Sequence, residues 1–244
     1  MKGKLSIACV LSVCFSASAA NSVHWGYEGN DDPAHWGKLS PDFSLCETGK
    51  NQSPVNIRQA LNTQHEPLQL AFQSGTQQII NNGHTVQVNV SAGNTLLLDN
   101  ETFTLQQFHF HAPSENEIDG KQFPLEGHFV YKNADGALTV IAVMFQEGAV
   151  NPQLAIAWQQ IPTRVDHAED VRTPVAIQSL LPTSLSYYRF SGSLTTPPCS
   201  EGIRWLVLEN PVTASAEQIS QFSSVMHHAN NRPIQPLNGR IIIH

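Results

Sequence analysis

Cysteine is scarce in this chain. Only four occur in 244 residues, and Cys9 and Cys14 fall within the first fifteen. Basic residues are scarce as well, with 13 Lys and Arg against 20 Asp and Glu, for a formal net charge of -7. An acidic chain without basic clusters is a poor candidate for nucleic-acid binding. There is no internal repeat, no low-complexity tract and no interdomain linker. Beyond residue 20 no apolar run is long enough to cross a bilayer. The whole chain is 41% hydrophobic and 14% charged, which suits one globular domain with a sizeable core.

Residues 1–20 stand apart from that domain. Lys2 and Lys4 form a basic start, and Leu5 to Phe15 is mostly apolar. Ala17-Ser18-Ala19 offers a small-residue cleavage site, with Ala20 as an alternative end. This pattern predicts a secretory signal peptide, too short to span a membrane. Leu11-Ser12-Val13-Cys14 weakly resembles a lipoprotein box, but the valine before the cysteine argues against lipidation. Removing the leader takes two lysines and no acids, so the charge goes from -7 to -9. It also leaves Cys46 and Cys199 as an even pair, and export favours their oxidation.

The most informative stretch is Gln107-Phe108-His109-Phe110-His111. On a β-strand, residues two apart share a face. Gln107, His109 and His111 therefore lie on one side, and Phe108 and Phe110 on the other. A second strand-like run, Glu126 to Tyr131, puts Glu126, His128 and Val130 on one face. Asp119-Gly120 between the runs is a turn signal. If the runs pair antiparallel, His128 approaches the His109/His111 pair. Zinc takes imidazole nitrogen, and catalytic zinc commonly has three protein ligands and one open position. No cysteine lies in either run, which argues against a closed structural Cys/His site. Gln107 and Glu126 each sit two residues from a histidine and are placed to fix its tautomer, as metal-binding imidazoles generally require.

Strand-like runs recur at Leu68-Phe72, Thr85-Val90, Thr95-Leu98, Phe103-His111, Glu126-Tyr131, Leu138-Phe145, Tyr187-Gly192 and Ile203-Leu208. Short alternating segments divided by turns predict a mainly antiparallel β architecture. Helical signals are fewer, the best being Asn151-Gln160 and Ser215-Met226, the second with a polar opening at Ser215 and Glu217 near its start.

Taken together, these residues resemble the α-class carbonic anhydrases over nearly the whole chain after the leader, residues 21–244. The likeness runs in order through His24-Trp25-Gly26-Tyr27, Gln52-Ser53-Pro54-Val55-Asn56-Ile57, Asn81-Asn82-Gly83-His84 and the two histidine strands. It continues through Ser193-Leu194-Thr195-Thr196-Pro197-Pro198 and ends in Asn230-Asn231-Arg232-Pro233-Ile234-Gln235-Pro236-Leu237. The resemblance implies a single, mainly β domain with a large twisted sheet and short surface helices. It implies zinc on His109, His111 and His128, with Gln107, Glu126 and the Asn230 carbonyl orienting those rings. Thr195 matches the residue whose hydroxyl aims the zinc-bound hydroxide, and Glu115 matches the carboxylate that takes the Thr195 proton. Thr196 lines the approach, and the Thr195 amide serves anions. His84 matches the proton shuttle. Val130, Val140, Leu194 and Trp205 match the apolar wall for carbon dioxide, and Tyr27 and Asn82 match the groups that order water. Bacterial and extracellular members often bridge the positions of Cys46 and Cys199.

The expected activity is reversible hydration of carbon dioxide to bicarbonate and a proton, with inhibition by sulfonamides and anions. Two residues depart from the animal members: Ala112 replaces a large aromatic and Asn231 a tryptophan, both as in the bacterial branch. With the leader, this favours the periplasm of a Gram-negative cell, an extracellular destination and a homodimer being left open. A catalytically silent binding module is a poor rival, because such relatives lack a zinc ligand. A three-histidine iron or copper oxygenase leaves Thr195 and Glu115 unexplained. Ester hydrolysis is expected only as a side activity. His24 and His35 are read as packing near the amino-terminal end, His65, His167, His227, His228 and His244 as surface residues, and Glu117 as part of a charged loop.

Overall fold

The computed structural model describes residues 23–63, 66–73 and 75–244. The leader and His65 lie outside the described residues. Two short helices open the chain, α1 (Trp36–Leu39) and α2 (Leu45–Thr48). Nine strands follow: β1 (Asn56–Ile57), β2 (Gln69–Ala71), β3 (Thr76–Asn81), β4 (Val86–Val90), β5 (Thr95–Leu98), β6 (Glu101–His111), β7 (Glu117–Ile118), β8 (Leu125–Lys132) and β9 (Leu138–Glu147). Then come α3 (Pro152–Trp158), β10 (His167–Asp170), β11 (Tyr187–Ser193), β12 (Glu201–Leu208), β13 (Val212–Ala214) and α4 (Ala216–Met226).

Eleven strands form one sheet, in the main order β10-β3-β4-β6-β8-β9-β12-β11. Its pairs are antiparallel except where β12 and β13 run parallel to β9. The expected strands are present, most of them extended by a residue or two. β3 is the long strand the patterning did not reveal. A register irregularity between Thr76 and Gln78 and the pair Gln77-Gln78 break its alternation.

Both faces of the central strands are covered, so β9 reads as nearly continuous apolar sequence. Ile141, Val143 and Phe145 enter one core, with Phe108, Phe110, Phe129, Trp158 and Phe222. Val140, Ala142 and Met144 enter the other, with Trp205 and Val207. Helices α3 and α4 supply Trp158 and Phe222 to the first core. Each helix begins on a proper cap. The Asn151 side chain accepts the Gln153 and Leu154 amides, and Ser215 forms a capping box with Gln218.

One irregularity decides where the histidines go. Phe103 and Leu105 lie in the first core, and so do Phe108 and Phe110, so the buried positions change parity within β6. Leu105 pairs with Tyr131 and Gln107 with Val130, leaving Gln106 as an extra residue in the ladder. This β-bulge shifts the side-chain phase. It keeps aromatic residues in the core on both sides of the bulge while His109 and His111 face the other way.

Candidate active site

β6 and β8 pair so that His109 lies opposite His128 and His111 opposite Glu126. The three rings converge, with centroid separations of 5.1 Å for His109–His111, 5.3 Å for His109–His128 and 4.6 Å for His111–His128. Each ring is held from behind. His109 Nδ1 lies 2.8 Å from Gln107 Oε1, His111 Nδ1 lies 2.7 Å from the Asn230 carbonyl, and His128 Nε2 lies 2.9 Å from Glu126 Oε1. These acceptors assign the proton to the outer nitrogen of each ring. Lone pairs are left on His109 Nε2, His111 Nε2 and His128 Nδ1.

One ligand atom from each histidine lies within 4.8 Å of the others, the one such cluster among the described residues. His111 Nε2 is buried without a hydrogen-bond partner. Such a lone pair is costly to leave unsatisfied, and a metal ion satisfies it. Burial lowers the pKa of all three histidines, and the charges of His111 and His128 add to the effect at His109. They are thus neutral at neutral pH, the form that binds metal. Three imidazoles and no thiolate fit a catalytic zinc centre.

Glu126 is fully committed. It accepts from His128, from the Asn116 side chain at 2.7 Å, and from the Glu115 and Asn116 amides at 2.6 and 2.9 Å. Glu115 Oε1 accepts the Arg232 amide at 2.8 Å. Its Oε2 lies 3.6 Å from His111 Nε2 and 3.9 Å from His128 Nδ1. Burial pushes the Glu115 carboxyl well above its ordinary pKa, opposed by the Arg232 amide and the Thr195 hydroxyl. Glu115 Oε2 has no hydrogen bond of regular geometry, so the Thr195 contact is a loose one.

Thr195 is buried in the turn between β11 and β12, which is closed by Leu194 N–H to the Ser200 carbonyl and Cys199 N–H to the Thr196 carbonyl, both at 2.9 Å. Cys46 and Cys199 are joined in a disulfide, with Cα atoms 5.0 Å apart. Val140 and Trp205 belong to the second core, and Val130 and Leu194 pack against it. The Trp205 ring lies 4.9 Å from that of His128. The apolar wall and the histidine cluster are therefore adjacent.

A cavity of about 150 Å³ opens onto the site, lined among others by Tyr27, Asn82, His84, His109, His111 and Thr196. The Tyr27 hydroxyl is buried without a partner. Asn82 lines the cavity, and its side-chain Oδ1 also accepts the His84 and Thr85 amides at 3.0 and 2.9 Å, shaping the turn that carries His84. Gly83 in that turn has φ +81°, and a Cβ there would meet Val165 at 2.9 Å. His84 is half-buried. Its pKa is lowered by burial, then by His24 and His228, with Asp166 opposing.

Sequence patterning missed several neighbours. Trp25 stacks on His84 with centroids 3.7 Å apart and planes 9° apart. His228, read as a surface residue without a motif, faces Tyr27 at 5.7 Å. A turn-borne histidine and an upstream tryptophan give no periodic signal of their contact.

A β-sheet enzyme centred on three convergent histidines that could hold a metal ion is the class these observations describe. The chain belongs to the carbonic anhydrases: residues 31–244 match the family described as eukaryotic-type carbonic anhydrase. It is 92% identical over 244 residues to a carbonic anhydrase of Pectobacterium carotovorum, with 100% of each chain covered. It is 45% identical over 245 residues to one from Klebsiella pneumoniae, again with 100% of each covered. The structure of α-carbonic anhydrase from Thermovibrio ammonificans with the inhibitor sulfanilamide matches with a TM-score of 0.90 at 43% identity, over 91% of this chain and 100% of that one.

Proposed function

We propose that this carbonic anhydrase hydrates carbon dioxide on zinc held by His109, His111 and His128, and exports the proton through His84. The observation that carries the reading is the convergence of three neutral imidazoles, with the buried His111 Nε2 lacking any partner. Bound zinc supplies a Lewis acid that makes water a nucleophile at neutral pH, as it does in carbonic anhydrases generally.

The remaining work falls to the chain. Gln107, Glu126 and the Asn230 carbonyl fix the three rings before metal arrives. Thr195 donates a hydrogen bond from its hydroxyl to Glu115, which leaves the Thr195 oxygen as an acceptor that would orient the nucleophile toward carbon. Val130, Val140, Leu194 and Trp205 present carbon dioxide with an apolar surface that offers water little. Thr196 lines the way in, and Tyr27 and Asn82 order water between the centre and His84. With a pKa below 6.5, His84 is neutral at pH 7 and ready to accept the released proton. The amino-terminal leader would send the enzyme to the periplasm, where the Cys46–Cys199 bridge persists.

Stopped-flow carbon dioxide hydration tests the reading. Purified protein should be active, lose that activity on chelation and regain it with stoichiometric zinc. Equal recovery with iron alone, or activity indifferent to chelation, would contradict it.

A further inference from the structure

Arg232 is 1% exposed, and both of its Nη atoms donate to protein acceptors. Its Nη1 donates to Gln52 Oε1 and the Ser53 carbonyl, both at 2.8 Å, and its Nη2 to the Cys46 carbonyl at 2.9 Å. Its own amide donates to Glu115 Oε1 at 2.8 Å. Gln52 extends the connection, since its Nε2 donates to the Cys199 carbonyl at 3.0 Å. One residue thus reaches Glu115 directly and the Thr195 turn from two directions, through Cys46 with its disulfide and through Gln52.

Burying an arginine is expensive, and a well-packed apolar side chain of similar volume is often no less stable. Its forked, rigid donors suit a different task, which is to hold several acceptors in fixed relation. The guanidinium acceptors all lie in the Cys46–Ser53 segment, which the disulfide and the Gln52 side chain tie to Cys199 in the Thr195 turn, while the Arg232 amide holds Glu115. Oε2 of Glu115 has no firm hydrogen bond of its own, so the direction of that carboxylate depends on what grips Oε1.

We infer that Arg232 is a positioning residue for hydration: its guanidinium clamps Cys46, Ser53 and Gln52 so that its amide and the Cys199 turn hold Glu115 and Thr195 in register. This rests on the reading that Glu115 and Thr195 aim the nucleophile. It predicts that the benefit of Arg232 is delivered through Thr195 and through no other part of the site.

The test is a double-mutant cycle of Arg232→Lys and Thr195→Ala, read as kcat/KM for hydration with zinc content measured on each protein. Thr195→Ala alone should lower kcat/KM by about tenfold to a thousandfold, the range for a lost transition-state hydrogen bond. Arg232→Lys alone should lower it by about tenfold with zinc retained, as lysine keeps the charge but not the fork. At low buffer, where proton export limits turnover, kcat should fall much less. In the Thr195→Ala background, Arg232→Lys should cost almost nothing further. Gln52→Met removes the Cys199 arm, together with the Gln52 hydrogen bond to Glu201, and should give a smaller loss that also vanishes in that background. Hydrogen exchange supplies a readout without metal: Arg232→Lys should speed exchange of the Leu194 and Cys199 amides in zinc-free protein. Wild-type kinetics for Arg232→Lys, equal fold losses in both backgrounds, or unchanged amide exchange would each overturn the inference. Wild-type kinetics for Thr195→Ala would instead remove the underlying role of Thr195, and the inference with it.

Discussion

Opening the Cys46–Cys199 bridge is the perturbation with the best-defined magnitude. The two residues are 153 apart in sequence. Chain entropy for a loop of that length gives a stabilisation of about 5 kcal/mol. That figure is an upper bound, because the reduced unfolded chain retains structure. For a domain of this size each kcal/mol moves Tm by about 2–4 °C, so reduction should lower it by at most about 10–20 °C. There is also a local effect. Cys199 sits at φ +57°, a conformation disfavoured for any side-chain-bearing residue. The bridge, the hydrogen bond from the Cys199 amide to the Thr196 carbonyl and that from Gln52 to the Cys199 carbonyl hold it there. Loss of the first should loosen the turn that carries Thr195, lowering kcat/KM several-fold while zinc stays bound. Calorimetric scans of oxidised protein, reduced protein and a Cys46→Ser/Cys199→Ser double variant measure the stability term. Hydration kinetics and metal analysis on the same samples measure the local one. Ellman titration of unfolded, unreduced protein checks the premise. Two free thiols per chain lacking residues 1–20, or a Tm unchanged by reduction, would refute the reasoning.

Replacing any of His109, His111 or His128 by alanine should abolish stoichiometric zinc binding and nearly all hydration; metal analysis of a triple variant with undiminished zinc would sink the ligand assignment. His84→Ala should depress kcat at low buffer while sparing kcat/KM, and small imidazole buffers should restore it; an unchanged kcat would require another shuttle. Because burial, His24 and His228 lower the His84 pKa, its proton-accepting form persists below pH 6.5, so kcat at low buffer should fall only as pH drops through that lower value. An acid limb centred well above pH 6.5 would contradict this. Primary aromatic sulfonamides should inhibit by placing their deprotonated nitrogen on the metal and a donor toward Thr195, with the ring against Leu194 and Val130; a crystal structure with the sulfonamide away from the three histidines would refute that geometry.

The site was legible where chemistry and backbone periodicity coincide. Alternation alone placed Gln107, His109 and His111 on one face and Phe108 and Phe110 on the other, and the observed β6–β8 register brings His128 opposite His109. The likeness to a family supplied Asn230, whose carbonyl meets His111 across 119 residues of sequence, a contact no local pattern encodes. Helix α4 was legible because its cap is local, with Ser215 and Gln218 completing the box. The helices α1 and α2 were not, because four residues cannot display a 3.6-residue repeat. β1, β7 and β13 escaped because two or three residues show little alternation, and β10 because His167–Asp170 is polar and mostly exposed. Arg232 escaped because a buried charge looks like any other charge in sequence. Its partners at Cys46, Gln52, Ser53 and Glu115 converge only in three dimensions.

The bulge at Gln106 gives β6 something like a reading frame. Upstream of it odd-numbered residues feed the core, and downstream even-numbered ones do. Losing that single residue, or gaining one beside it, is therefore a different kind of event from a substitution. If the strand upstream kept its place, every side chain beyond would be turned through the sheet at once. Phe108 and Phe110 would be driven into the catalytic cavity, and His109 and His111 into an aromatic core with no acceptor for their ring protons. Length at this point is under tighter constraint than identity: an exposed Gln106 is free to vary in type, while the count of residues between Leu105 and His109 is fixed by the histidine cluster on one side and the core on the other.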